Sequence, residues 1–201
     1  GAGTVFDLPG PNFRGGGAGP EDLTLVVDNR IGNTAVTETS GLDVLLGYDF
    51  ELGRNRFAAS LNANYFFSFD DRLTPTAPVI SALNRPFRPV DLRARGGLNW
   101  ARDGWGANLF VNHVDDYLDE RRPETLAVES FTTLDAGVSY EFGKDGNRPR
   151  PFRIAFHVEN LFDADPPRLL PDPLTTAGLG YDPVNANGRG RVVSLQLRKA
   201  W

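Results

Sequence analysis

The side chains able to do chemistry are few and scattered. Histidine occurs twice, at His113 and His157, and cysteine not at all, which excludes disulfides and thiolate metal sites. No His-Glu-x-x-His, Gly-x-Ser-x-Gly or Walker-type loop is present. The glycines between positions 15 and 19 have no strand before them and no helix after them, so they do not read as a phosphate cradle. Asp115, Asp116, Asp119 and Glu120 lie within six residues. Their oxygens are of the kind that coordinates Ca²⁺; a solvated acidic loop is the plainer reading. No catalytic set and no cofactor are expected, and the chain does not read as an enzyme. A net charge of −5 argues against bulk attraction to nucleic acid.

The polar residues make sense once the elements that carry them are laid out. In the last thirteen residues, Arg189–Trp201, Val193, Leu195, Leu197 and Trp201 share one face of a strand and Val192, Ser194, Gln196 and Arg198 the other. A strand of that length reaches roughly 40 Å, against a soluble norm of about 5–6 residues. Tilted by about 40°, it crosses the ~25–30 Å hydrocarbon layer of a bilayer. The same alternation predicts strands at about 22–30, 36–52, 56–70, 89–101, 105–117, 131–143 and from 152 onward. Short links (53–55, 102–104, 144–151) alternate with long loops (71–88, 118–130, 163–188). Residues 1–21 are rich in Gly and Pro and read as irregular loop. No apolar run approaches 18 residues, so no transmembrane helix is expected; barrel strands give only a weak hydropathy signal. The chain has no Met, so its N-terminus is expected to arise by cleavage, truncation or excerpting.

Aromatic residues on the apolar face fall at the strand ends. Phe50, Phe57, Trp100, Trp105, Phe142, Phe152 and Trp201 sit by the short turns, and Tyr65, Phe67, Phe69 and Tyr117 by the long loops. Two girdles around an aliphatic band are the pattern of a transmembrane barrel. The opposite face carries Asp43, Asp49, Glu51, Asn62, Asn64, Arg93, Arg95, Asn99, Asn108, Asn112, Asp135, Glu141, Arg153 and Glu159. Burying so many ionisable groups in a dry core would cost several kcal/mol each unless paired, so this face is expected to line a water-filled or plugged interior. Arg93, Arg95, Asp135, Arg153, His157 and Glu159 are the candidates for a ligand path. Pairing with carboxylates of a plug or of a neighbouring strand is the plainer role for the two arginines, and ordinary hydrogen bonding for His157.

Three segments carry a resemblance. Asp28-Asn29-Arg30 through Gly41-Leu42-Asp43, Glu159-Asn160-Leu161-Phe162-Asp163-Ala164-Asp165-Pro166-Pro167, and Tyr181-Asp182-Pro183-Val184-Asn185-Ala186 with Gly190-Arg191-Val192-Val193-Ser194-Leu195 resemble stretches of TonB-dependent outer-membrane receptors, over residues 22–201. The resemblance implies an all-β, antiparallel transmembrane meander of about eight strands, forming the C-terminal part of a barrel of about 22 strands with an N-terminal plug. It further implies residence in the bacterial outer membrane and TonB-coupled uptake of a scarce ligand of the siderophore, cobalamin or saccharide class. The implied partners are outer-membrane lipid, the other strands and plug of the same receptor, the barrel-assembly machinery, and TonB only through a part this chain does not contain. Arg189, Gly190, Val193, Leu195 and Trp201 match the family's C-terminal assembly signal. Lys199 departs from it, near the rim, where snorkelling keeps the cost at about 0–1 kcal/mol. Two alternatives stand beside this reading: a self-contained eight-stranded membrane barrel, and a soluble β-sandwich binding module.

Overall fold

Alternation of apolar and polar side chains underlies the long strands, and tight turns containing glycine in a left-handed conformation divide two pairs of them. The computed structural model describes residues 35–74, 76–143, 152–172 and 178–199. The predicted strand at 22–30, the segment 1–21, the link 144–151 and Trp201 lie outside the described residues. The described chain is all-β, with no helix among those residues. Its strands are β1 (Val36–Leu52), β2 (Asn55–Arg72), β3 (Ile80–Ser81), β4 (Leu92–Arg102), β5 (Trp105–Val114), β6 (Tyr117–Asp119), β7 (Leu126–Val128), β8 (Phe131–Phe142), β9 (Phe152–Glu159) and β10 (Val192–Lys199).

The main sheet is an antiparallel meander in the order β1-β2-β4-β5-β8-β9-β10, with β3 added beside β2; β6 and β7 form a separate hairpin. Among the described residues the sheet is an open path from β1 to β10, not a closed barrel. Two-residue turns at Gly53-Arg54 and Asp103-Gly104 join β1 to β2 and β4 to β5. Gly53, Asp103 and Gly104 have φ of 62°, 46° and 88°, the sign that tight hairpin loops demand.

Register keeps the two faces distinct across the sheet. On one face Tyr48, Ala59, Leu98, Leu109, Ala136, Val158 and Val193 follow one another from strand to strand. Among the described residues most of this face is uncovered: Leu46 is 58% exposed, Tyr48 70%, Leu98 42% and Leu195 65%, while Val158 is buried. Near the short turns its aromatics touch in series. Phe50 stacks on Phe57 at 4.9 Å, and Trp105, Tyr140, Phe142 and Phe152 follow at centroid distances of 4.8, 4.6 and 6.0 Å.

Several predicted boundaries shift, for local reasons. The last strand begins at Val192, not at Arg189, because Gly190 has φ +67° and breaks the extended run. Arg189 and Gly190 therefore sit outside the strand, and its eight described residues reach about 26 Å. A bulge opposite Ser40 and Gly41 inserts one extra residue into β2. Beyond it Phe69 pairs with Thr39 and turns to the polar face, which removes it from the outer girdle. Gly41 is required there, since a Cβ would lie 2.7 Å from the Tyr65 carbonyl oxygen. Tyr117 also leaves the girdle: β5 stops at Val114, and Tyr117 is buried in the loops beyond it. The predicted loops 71–88 and 118–130 contain β3 and parts of the β6–β7 hairpin.

Adjacent glycines on opposite faces of β4 test the asymmetry. A Cβ at Gly97 would lie 2.6 Å from the Phe110 ring, whereas Gly96 has nothing within 4 Å. Gly97→Val is expected to lower stability by about 1–3 kcal/mol through overpacking, and Gly96→Val to change it by less than about 0.5 kcal/mol. Denaturant midpoints of the two variants check this; equal effects would contradict the packing described.

Candidate functional site

The polar face is organised by hydrogen bonds that run across the strands. Arg95 donates to Asn112 and lies 3.4 Å from Asp135, and its guanidinium covers the Phe110 ring at 4.3 Å. Asn112 donates to Asp135 at 2.9 Å and to the Thr133 hydroxyl at 3.1 Å. The other Asp135 oxygen accepts from the Asn160 backbone N–H at 3.0 Å, just past the end of β9. Arg95 and Asp135 are thus brought together across the intervening β5, rather than between neighbouring strands. Of the remaining ligand-path candidates, His157 lies within electrostatic reach of the Asp135 carboxylate, and Arg93 and Glu159 share a recess with it. Arg153 donates to the Ser139 hydroxyl at 3.0 Å. The His157 ring lies over Gly137, where an added Cβ would sit 2.9 Å from Nδ1. Glu159 is exposed and has no ion pair or hydrogen bond among the described residues.

Arg93 belongs to a different cluster, above the sheet. It donates to the Val184 carbonyl at 2.8 Å and to Asn185. Both belong to the long loop between β9 and β10, which folds back over the polar face. The anchor of this loop is Asp182, only 2% exposed. One oxygen accepts from Phe87 N (2.8 Å), Tyr117 Oη (3.0 Å) and Asn185 Nδ2 (2.8 Å); the other accepts from Val184 N (2.9 Å). Asn185 also donates to the Arg88 carbonyl at 2.9 Å. A buried carboxylate is tolerable only when its lone pairs are filled in this way. Val90, Tyr117, Val128 and Leu169 pack into a small apolar core among the same loops. Burial, then the Asp182 charge and hydrogen bond, push the Tyr117 hydroxyl well above the ordinary tyrosine range.

The loop is shaped by its own polar residues. Asn160, at φ +51°, exchanges two 2.9 Å hydrogen bonds with Ala164. Asp163 accepts from Arg191 N at 2.7 Å, closing the loop where β10 begins. Gly190 stands against this contact, with the Asp163 oxygen 3.0 Å from where a Cβ would be. Two of the three segments that carry the resemblance, around 159–167 and 181–195, are therefore the ones that tie the loop down. Asp182, Asn185 and Tyr117 were not legible as a cluster; Asp-Pro at 182–183 marks a turn, and nothing local marks its burial.

The four acidic residues near 115–120 do not converge. Arg121 grips Asp119 with two 2.8 Å hydrogen bonds, and holds its carboxyl below the usual carboxylate range against the opposing effect of burial. Glu120 pairs with Arg85, and Asp115 accepts from Asp116 N at 3.0 Å. Among the described residues no group of three or more His, Asp or Glu side chains is placed to hold a metal ion. Between the folded-back loop and the sheet lies a recess of about 370 Å³, with Arg93, Thr133, Asp135, Glu159 and Asn187 on its walls. A comparison with family models, curated proteins and solved structures finds no match for this chain.

Asp182→Ala is expected to cost at least about 2 kcal/mol, because Phe87 N–H and Tyr117 O–H would be left buried without an acceptor. Tryptic cleavage after Arg168 should accelerate while the strand signature in circular dichroism persists; an unchanged cleavage rate would contradict the clasp. The raised Tyr117 pKa has a sign. Its contribution to stability is complete below the unfolded tyrosine value of about 10 and is lost as pH rises above it toward the folded value. The stability difference between the parent chain and Tyr117→Phe should be flat from neutral pH to about 10 and shrink at higher pH; denaturant midpoints across that range check it.

Proposed function

We propose that this chain is the C-terminal barrel segment of a TonB-dependent outer-membrane receptor, with a transport role and no enzymatic one. The observation that carries the reading is the uncovered apolar face, continuous across seven strands and rimmed by touching aromatics. Soluble monomers rarely leave contiguous apolar patches above a few hundred Å². Lipid is the partner that fits such a face, since a transmembrane barrel keeps apolar residues outward and polar ones inward. The hydrogen-bonded polar face with Arg95, Asn112 and Asp135 supports the other half of the reading, a water-lined interior. Alternation of tight turns with long folded loops supports an orientation in which the turns face the periplasm and the loops the exterior.

In this reading, strands of the same receptor satisfy the open edges of β1 and β10, because unpaired backbone in hydrocarbon costs several kcal/mol per group. Lipid contacts the apolar face, the plug contacts the polar face, and the assembly machinery recognises β10. TonB acts through a part of the receptor outside this chain, and the location is the bacterial outer membrane. The transported ligand is a scarce solute that enters past the outer loops.

Reconstitution tests this. Trp105 is 50% exposed on the apolar face, so lipids brominated on their acyl chains should quench its fluorescence when the chain folds into vesicles. Leu109→Arg, in the middle of the same face, should lower stability in the bilayer by about 2–4 kcal/mol. A stable monomer in buffer without detergent, with unquenched tryptophan, would overturn the membrane reading.

A further inference from the structure

We propose that the recess between the β9–β10 loop and the polar face is a binding site for a small zwitterion of the α-amino-acid type. Its volume of about 370 Å³ falls in the range of small-ligand pockets. Two opposite charges stand on its walls, and neither has an ion pair among the described residues. Arg93 spends Nη2 on the loop and keeps Nε and Nη1 available. Glu159 keeps both carboxylate oxygens. The third charged wall residue, Asp135, is already satisfied by Arg95, Asn112 and Asn160 N–H.

Arg93 and Glu159 cannot neutralise each other. They sit three strand spacings apart and about four residues offset along the sheet, which places their Cα atoms roughly 19 Å apart before curvature. Both line the same recess, so a small molecule seated there can offer a carboxylate to Arg93 and an ammonium to Glu159, with a charge-assisted hydrogen bond at each end. Between them Val114 and Phe131 present apolar surface for a side chain, and the Thr133 hydroxyl and the Asn187 amide line the same recess. A neutral polyol would leave both charges uncompensated. The site deepens the transport reading, and rests on it only in that the polar face must be open to water.

The test is calorimetric titration of the full chain, folded in detergent micelles, with L-leucine, leucinamide, N-acetyl-leucine and glucose. Leucine should bind saturably. Leucinamide, without the carboxylate, and N-acetyl-leucine, without the ammonium, should each bind at least about tenfold more weakly. Glu159→Gln should weaken leucine by about tenfold and leave N-acetyl-leucine unchanged; Glu159 supports no other described contact, so the fold is expected to persist. Failure of leucine to saturate, equal binding of all four probes, or full leucine affinity in Glu159→Gln would overturn the site. A chain that folds without detergent would defeat the membrane reading alone, and the same titrations in buffer would still decide this one.

Discussion

Register parity governs this structure. Side chains alternate with period two, so a slip of one residue between neighbours would carry a whole apolar set to the polar face. The tight turns at Gly53-Arg54 and Asp103-Gly104 hold that parity with positive φ values. Where the chain departs from it, at the bulge opposite Ser40 and Gly41, the result is immediate: Phe69 changes sides. The uncovered apolar face, its aromatic rim and the cross-strand polar contacts of the opposite face all follow from parity being kept across seven paired strands.

A second constraint operates above the sheet. Long connecting segments carry backbone polar groups that must be satisfied wherever they are buried. Here two carboxylates do much of that work. Asp182 collects donors from the segment at 87, from β6 and from its own loop, and Asp119 closes on Arg121. The apolar core of Val90, Tyr117, Val128 and Leu169 is small, so the loops depend on this polar clasp to a degree that a well-packed domain would not. The consequence for function is geometric: the last loop is held over the polar face, and the recess beneath it has a fixed roof.

Much of the sheet was legible in the chain. The run from Val36 to Leu52 is a strand with those ends, and the starts of β5, β8 and β9 also fall where the alternation begins. Less was legible at the outer margin. The alternation through Phe69 gives no sign of the bulge, since the extra residue is itself a phenylalanine. Tyr117 continues the phase of β5 on paper, yet burial against Asp182 proves stronger than one more rung of ladder. In the candidate site, the pairing of Arg95 with Asp135 was expected in kind. Sequence proximity suggested one acidic cluster at 115–120, whereas Asp119 and Glu120 are claimed by different arginines, Arg121 and Arg85.

By itself the sequence determined what depends on neighbours along the chain: which residues alternate, where tight turns interrupt them, and which face of each strand is apolar. These are consequences of backbone geometry and of a period of two, and need no knowledge of the partner strand. Only the tertiary structure decided which polar groups lose their water. Asp182 reads as an ordinary turn residue until Phe87 and Tyr117 close over it, 95 and 65 positions away. Desolvation is set by everything that surrounds a group, and what surrounds Asp182 comes from segments the local pattern cannot bring together.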